Sequence, residues 1–163
     1  MSVVFRTENV SYLPLPNFVE VVVSDQSCDP VLTRTAFMIP VHPDGSIVLA
    51  QNRRRGVEIA GGHVEPGETL VEAATREALE EVGCTVADVR PIGFLRMVSS
   101  GEVPNDYPYP HPLSYQQFFA GRVVEQHKYV VNDECGLPYR TLDFDGLRPS
   151  IGIFGARARE LYQ

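Results

Sequence analysis

The sequence predicts a mixed α/β domain, and three observations predict it. Short β-branched runs lie on both sides of one amphipathic stretch near residues 69–82. A second helical pattern closes the chain near residues 150–162. Apolar residues make up 44% and charged residues 21%, ordinary values for a globular chain rather than a disordered or fibrous one. With 163 residues, the chain reads as one domain over 1–163, with enough length for a real hydrophobic core.

Taken in order, FVEVVV at 18–23 is rich in β-branched residues and reads as a strand. Residues 35–54 read as a hairpin, two apolar runs joined at Pro43-Asp44-Gly45, which is turn chemistry. Val57 to Ala60 is a short strand running into Gly61-Gly62, and Glu65-Pro66-Gly67 suits a tight turn. A helix follows from Thr69 to Val82, with Gly83 as its C-terminal stop. Residues 89–98 and 115–125 read as further strands. Between them lies SSGEVPNDYPYPHP at 99–112, too rich in proline for a sheet interior. A connection that long is more often functional or mobile than inert.

The formal net charge is −7, and no basic stripe runs along the chain, so a nucleic-acid partner is not expected. The longest apolar runs are far too short to cross a bilayer. The first residues show no secretory pattern, and the three cysteines, at 28, 84 and 135, lack metal or disulfide spacing. A cytoplasmic location with reduced thiols is the expectation.

The helix carries an electrostatic anomaly. At about 100° per residue, Leu70, Val71, Ala74, Ala78 and Val82 share one third of the circumference, the stripe expected of a helix docked on a sheet. Glu77, Glu80 and Glu81 fall beside that stripe. They form like-charge i,i+3 and i,i+4 pairs near the helix C-terminus, where both repulsion and the helix dipole oppose them. Glu68 and Glu72 sit near the first turn, where a helix favours them. Two readings account for the later three: a solvated acidic face softened by Arg76, or carboxylates converging on a hard divalent cation, which prefers a few carboxylates plus substrate phosphates.

Residues 62–84, GHVEPGETLVEAATREALEEVGC, resemble the signature of the Nudix hydrolase family, G-x5-E-x7-R-E-U-x-E-E-x-G-U, with U aliphatic. Gly62, Glu68, Arg76-Glu77, Glu80-Glu81 and Gly83 stand at its charged and glycine positions. Ala78 and Cys84 are smaller than the usual aliphatics, and Ala60 stands where many members have proline. The resemblance implies an α/β/α sandwich with a mixed central sheet and the signature helix packed on it. It implies Mg²⁺ or Mn²⁺ held by Glu77, Glu80, Glu81 and the Gly61 carbonyl, with Arg76 orienting Glu77 and Glu68 bracing the loop. The implied reaction is hydrolysis of the diphosphate linkage of a nucleoside diphosphate joined to another group. Glu77 is the first candidate for general base, and Glu102, Glu125, Asp133 and Glu134 remain alternatives.

Substrate contacts are expected from Arg53 or Arg55, which could fork onto phosphates, and from Tyr115. Tyr107, Tyr109 and His111 offer further rings for a base, or pack down their own loop. His63 reads as a bystander. Markers of coenzyme A, ADP-ribose and dinucleoside polyphosphate subgroups are missing, with Ser99 where an ADP-ribose hydrolase carries proline. A nucleoside triphosphate pyrophosphohydrolase, acting for example on oxidised nucleotides, is therefore the leading expectation. Sugar nucleotides or other such diphosphates come second, and a non-catalytic nucleotide sensor third, because sensors usually lose signature residues. The partner expected is a small-molecule nucleotide, without a membrane, and a homodimer is compatible.

Overall fold

The β-branched runs pair into one mixed sheet whose two faces are separated by strict alternation. The computed structural model describes residues 1–128 and 133–163. Its strands are β1 (Ser2–Glu8), β2 (Asn17–Val23), β3 (Thr33–Val41), β4 (Ile47–Asn52), β5 (Gly56–Glu58), β6 (Ala60–His63), β7 (Cys84–Ser99), β8 (Leu113–Gln126) and β9 (Tyr139–Thr141). Helix α1 (Leu70–Val82) follows β6, and α2 (Pro149–Tyr162) closes the chain. The strand order is β1-β2-β7-β8-β3-β4-β5, with β6 added to β3 and β9 to β4. Strands β3 and β8 run parallel in the middle, and the outer pairs are antiparallel.

Ala36 and Met38 of β3, Val48 and Ala50 of β4, and Phe119 and Val123 of β8 pack with Leu70, Ala74, Ala78 and Val82 of α1. Their alternates, Ile39 and Val41, Ile47 and Leu49, and Phe118 and Ala120, pack with Ile151, Phe154 and Ala158 of α2. Successive strand residues point to opposite faces, so the two helices lie on opposite sides of the sheet. The architecture is an α/β/α sandwich. Among the described residues, no helix is long and apolar enough to cross a membrane.

Helix α1 starts and stops as its residues require. The Thr69 hydroxyl accepts from Glu72 N–H, and the Glu72 carboxylate accepts from Thr69 N–H at 2.8 Å, a reciprocal capping box. Gly83, at φ 66°, takes the left-handed turn that ends the helix.

Several elements differ from the sequence expectation. Val71 is 40% exposed, while Ala73 is buried and Glu81 is only 7% exposed. The buried stripe is therefore rotated toward the carboxylates, with Glu81 inside it. Strand β7 starts at Cys84, well before residue 89, because bulges near Thr85, Ala87 and Pro91 carry its pairing with β8 past a proline that a regular strand would exclude. Strand β1 was not anticipated: almost all of it is exposed, so pairing with β2, not a hydrophobic period, makes it a strand. The stretch near residues 57–60 divides at Ile59 into β5, paired with β4, and β6, paired with β3. Strands β3 and β4 pair only at Val41 and Ile47, so they splay, and β5 and β6 fill the wedge. The glycine pair lies at this split, beside the edge of α1.

Candidate active site

The backbone at Gly61-Gly62 passes too close to its neighbours for any side chain. A Cβ on Gly61 would overlap the Phe37 ring and the Ala36 carbonyl, and one on Gly62 would overlap the Glu77 carboxylate. This close approach lets Gly61 N–H donate to Glu81 Oε2 at 2.9 Å across to α1. Glycine is required here for proximity, not for an unusual φ.

Arg76 is the hub of the signature. Its Nε and Nη2 donate to the two Glu68 oxygens at 2.7 and 3.1 Å, and Nη1 donates to Glu77 Oε1 at 2.9 Å and Glu80 Oε2 at 3.1 Å. Nη2 also donates to the His63 carbonyl at 3.1 Å. One planar fork thus ties the loop 63–68 to the last turns of α1. Glu68, which also accepts from Glu65 N–H, is held below its ordinary pKa, first by the Arg76 hydrogen bonds.

The three crowded glutamates separate in space. Glu77 and Glu81 line a cleft of about 900 Å³, whereas the Glu80 side chain is 53% exposed and rests on Arg76. Burial pushes the Glu77 carboxyl up against the opposing pull of Arg76. Burial pushes Glu81 up to about 7, helped by the charges of Glu77 and Glu58 and opposed by Gly61 N–H. Two desolvated carboxylates, with the charge of Glu77 further raising Glu81, are a site short of positive charge.

The other expected residues divide in the same way. Arg55 lines the cleft, where Nε and Nη2 donate to both Glu58 oxygens at 3.0 and 2.9 Å. Arg53 is exposed, and its backbone N–H donates to the Glu134 carbonyl at 2.9 Å. Tyr115 is not among the cleft walls: it meets Phe94 edge-on at 5.3 Å, while its neighbour Gln116, pointing the opposite way along β8, lines the cleft. Of the four outlying carboxylates, Glu134 alone is a cleft wall; Glu102, Glu125 and Asp133 are not. His63 and Tyr109 are walls too.

Glu58, Tyr12 and Arg148 are among the wall residues that escaped the sequence reading. Glu58 had one signal, a carboxylate on a strand running into a glycine pair. Arg148, which caps α2 and donates to the Arg55 carbonyl at 3.2 Å, had none, because α2 brings it in from the far end of the chain.

The donor set fits a hard divalent cation such as Mg²⁺. Among the described residues, Glu77 Oε2 and Glu81 Oε1 accept no hydrogen bond, since the bonds above use only the other oxygens. Among the same residues, no three acidic, histidine or cysteine side chains already stand in a ligating cluster. Two carboxylates with a backbone carbonyl, water and substrate oxygens match what Mg²⁺ takes, and a thiolate or imidazole metal is not served.

Comparison with known proteins bears on the family and the fold. The family model of the NUDIX domain matches residues 31–146. The NAD-capped RNA hydrolase NudC of Shigella dysenteriae is 38% identical over 129 residues, 77% of this chain and 45% of that protein. The putative 8-oxo-dGTP diphosphatase YtkD of Bacillus subtilis is 37% identical over 59 residues, 36% of this chain and 37% of that one. The chain thus spans less than half the length of these relatives. Among solved structures, the Bacillus subtilis pyrophosphohydrolase RppH superposes with a TM-score of 0.71 at 18% identity, covering 97% of this chain and 98% of the other. A NUDIX hydrolase from Nitrosomonas europaea follows with a TM-score of 0.51 at 21% identity, covering 73% and 77%. Both likenesses concern the fold.

Proposed function

The chain belongs to the NUDIX family, and from that premise we propose that it is a metal-dependent pyrophosphohydrolase of nucleotides, with nucleoside triphosphates, oxidised ones included, as the first substrate class. The observation that carries the reading is the pair of desolvated carboxylates, Glu77 and Glu81, meeting the glycine pair in the wall of a cleft large enough for a nucleotide. The similarity to a putative 8-oxo-dGTP diphosphatase supports triphosphates. The longer similarity to an NAD-capped RNA hydrolase favours, as second reading, a diphosphate joining a nucleoside to another group. The net charge of −7 speaks against an extended grip on RNA beyond such an end.

Glu77, Glu81 and the Gly61 carbonyl would hold Mg²⁺ or Mn²⁺, with Glu80 beside them. Bound there, the cation supplies neutralisation of the diphosphate charge and activation of phosphorus toward attack. Arg76 keeps Glu77 aimed into the cleft, and Glu68 fixes Arg76 in turn. Arg55 can exchange Glu58 for a phosphate oxygen, since its guanidinium is already turned into the cleft. A carboxylate engaged by the cation makes a poor base, so we assign proton removal from the attacking water to Glu134 rather than Glu77. It enters the cleft from outside the signature.

A substrate panel of canonical and oxidised triphosphates, sugar nucleotides and NAD, assayed with and without Mg²⁺, tests the reading. Metal-dependent release of pyrophosphate or phosphate is expected, and no turnover on any member would overturn it. Mg²⁺ alone should raise the melting temperature by several degrees at saturating concentration, since a ligand at 100 times its Kd adds about 2.7 kcal/mol. The double variant Glu77→Gln, Glu81→Gln should lose that shift. Glu134→Gln should keep the shift while kcat falls about 100-fold. A Glu134→Gln variant with wild-type kcat would return the base to Glu77.

A further inference from the structure

The loop 99–112 carries the alternation Tyr107-Pro108-Tyr109-Pro110-His111. Tyr109 and His111 stand at bends of the loop, and their rings gather around that of Tyr107. Tyr107 meets Tyr109 edge-on at 5.7 Å and His111 at 6.4 Å. Tyr109 then reaches across to the glycine loop. Its ring stacks on His63 at 5.8 Å and 25°, and its hydroxyl lies 2.9 Å from His63 Nε2. The loop is anchored at its base, where Ser99 N–H donates to the Pro112 carbonyl and Ser100 N–H to the Pro16 carbonyl.

His63 and Tyr107 thus hold Tyr109, yet it remains 38% exposed and lines the same cleft as Glu77. The other cleft aromatics are placed differently. Phe118 stacks on Phe37 at 4.7 Å and on Phe154 at 4.4 Å, so both its faces are used, and the Phe37 ring is pressed against Gly61 as well as Phe118. Tyr12 is 66% exposed with no ring partner among the described residues, so binding would have to order it. A ring held in advance with an open face contributes stacking without that entropic cost.

We infer that Tyr109, set by His63 and Tyr107, is a specificity-determining residue whose open face stacks on the nucleobase of the substrate. The inference rests on the nucleotide reading above. It narrows the substrate to compounds with an aromatic base beside the cleaved diphosphate. His63 is a positioning residue for that ring.

Calorimetric binding of adenosine and guanosine monophosphates, against ribose 5-phosphate, tests this in wild type, Tyr109→Leu and Tyr109→Phe, each with Mg²⁺ and with melting temperatures checked. Base stacking on one aromatic ring corresponds to roughly a 5- to 100-fold change in affinity. Tyr109→Leu should weaken both monophosphates by that factor and leave ribose 5-phosphate unchanged, and Tyr109→Phe should stay near wild type. Equal losses on all three ligands, no loss on the monophosphates, or a wild type that prefers none of them over ribose 5-phosphate would each overturn the inference. Turnover on the panel with an unaffected Tyr109→Leu rejects the base site and keeps the hydrolase. Base-dependent binding without turnover on any panel member rejects the hydrolase and keeps the base site.

Discussion

Replacing Glu81 by glutamine is expected to lower Mg²⁺-dependent nucleotide hydrolysis by about 10²–10⁴-fold. The side chain keeps its size, and its amide oxygen can still accept the Gly61 N–H that Glu81 Oε2 accepts at 2.9 Å. What disappears is the charge at the centre of the buried stripe. The loss should therefore appear mainly in kcat and in the Mg²⁺ concentration needed for half-maximal rate, with the far-ultraviolet circular dichroism unchanged. A glutamine variant active within tenfold of wild type would remove Glu81 from the cation site. Glu80→Gln is expected to lose less, because Glu80 is half exposed on Arg76, outside the cleft walls.

The same variant should be more stable than the wild type without metal, and the difference should depend on pH. Glu81 has a pKa near 7 in the folded chain against an ordinary 4.5. Between those values the folded state binds more protons than the unfolded state, so stability falls as pH rises. The protonated carboxyl is tolerated in full below about 4.5, and the cost of the buried charge is complete above about 7. At about 1.4 kcal/mol per pH unit, that cost is on the order of 3–4 kcal/mol. Glu77, raised in the same direction by burial, adds to the slope. Glu68, Glu72 and Asp44 are shifted the other way, and their contribution is lost only at more acid pH. Urea melts of metal-free protein from pH 5 to 8 should show this decline, flattened in Glu81→Gln. A wild type with no decline across that range would contradict a buried, charge-starved Glu81. Mg²⁺ should oppose the decline, since it binds the deprotonated carboxylate. Instability of the empty site is thus the counterpart of its affinity for a cation.

Much of the fold could be read from the residues because the signals are local. The capping box at Thr69 and Glu72, the left-handed stop at Gly83 and the turn at Asp44-Gly45 each involve residues within one turn of one another. The hairpin, strand β2 and both helices followed from period and punctuation. Strand β1 was invisible because its exposed residues carry no period. The split of residues 56–63 into two strands was invisible because it depends on which of two splayed partners each half meets.

The site was legible to the same extent. The sequence by itself determined the family, the glycine pair, the place of Arg76 next to Glu77, and the crowding of Glu77, Glu80 and Glu81 against helix electrostatics. The tertiary structure decided which of those carboxylates enter the cleft. It also brought Glu58, Glu134, Arg148 and Tyr109 to them, and turned Tyr115 and Arg53 away. The reason is separation along the chain. Helix spacing fixes what residues 76 to 81 share, but the meeting of residue 63 with 109, or of 55 with 148, exists only once the sheet has closed and both helices have docked.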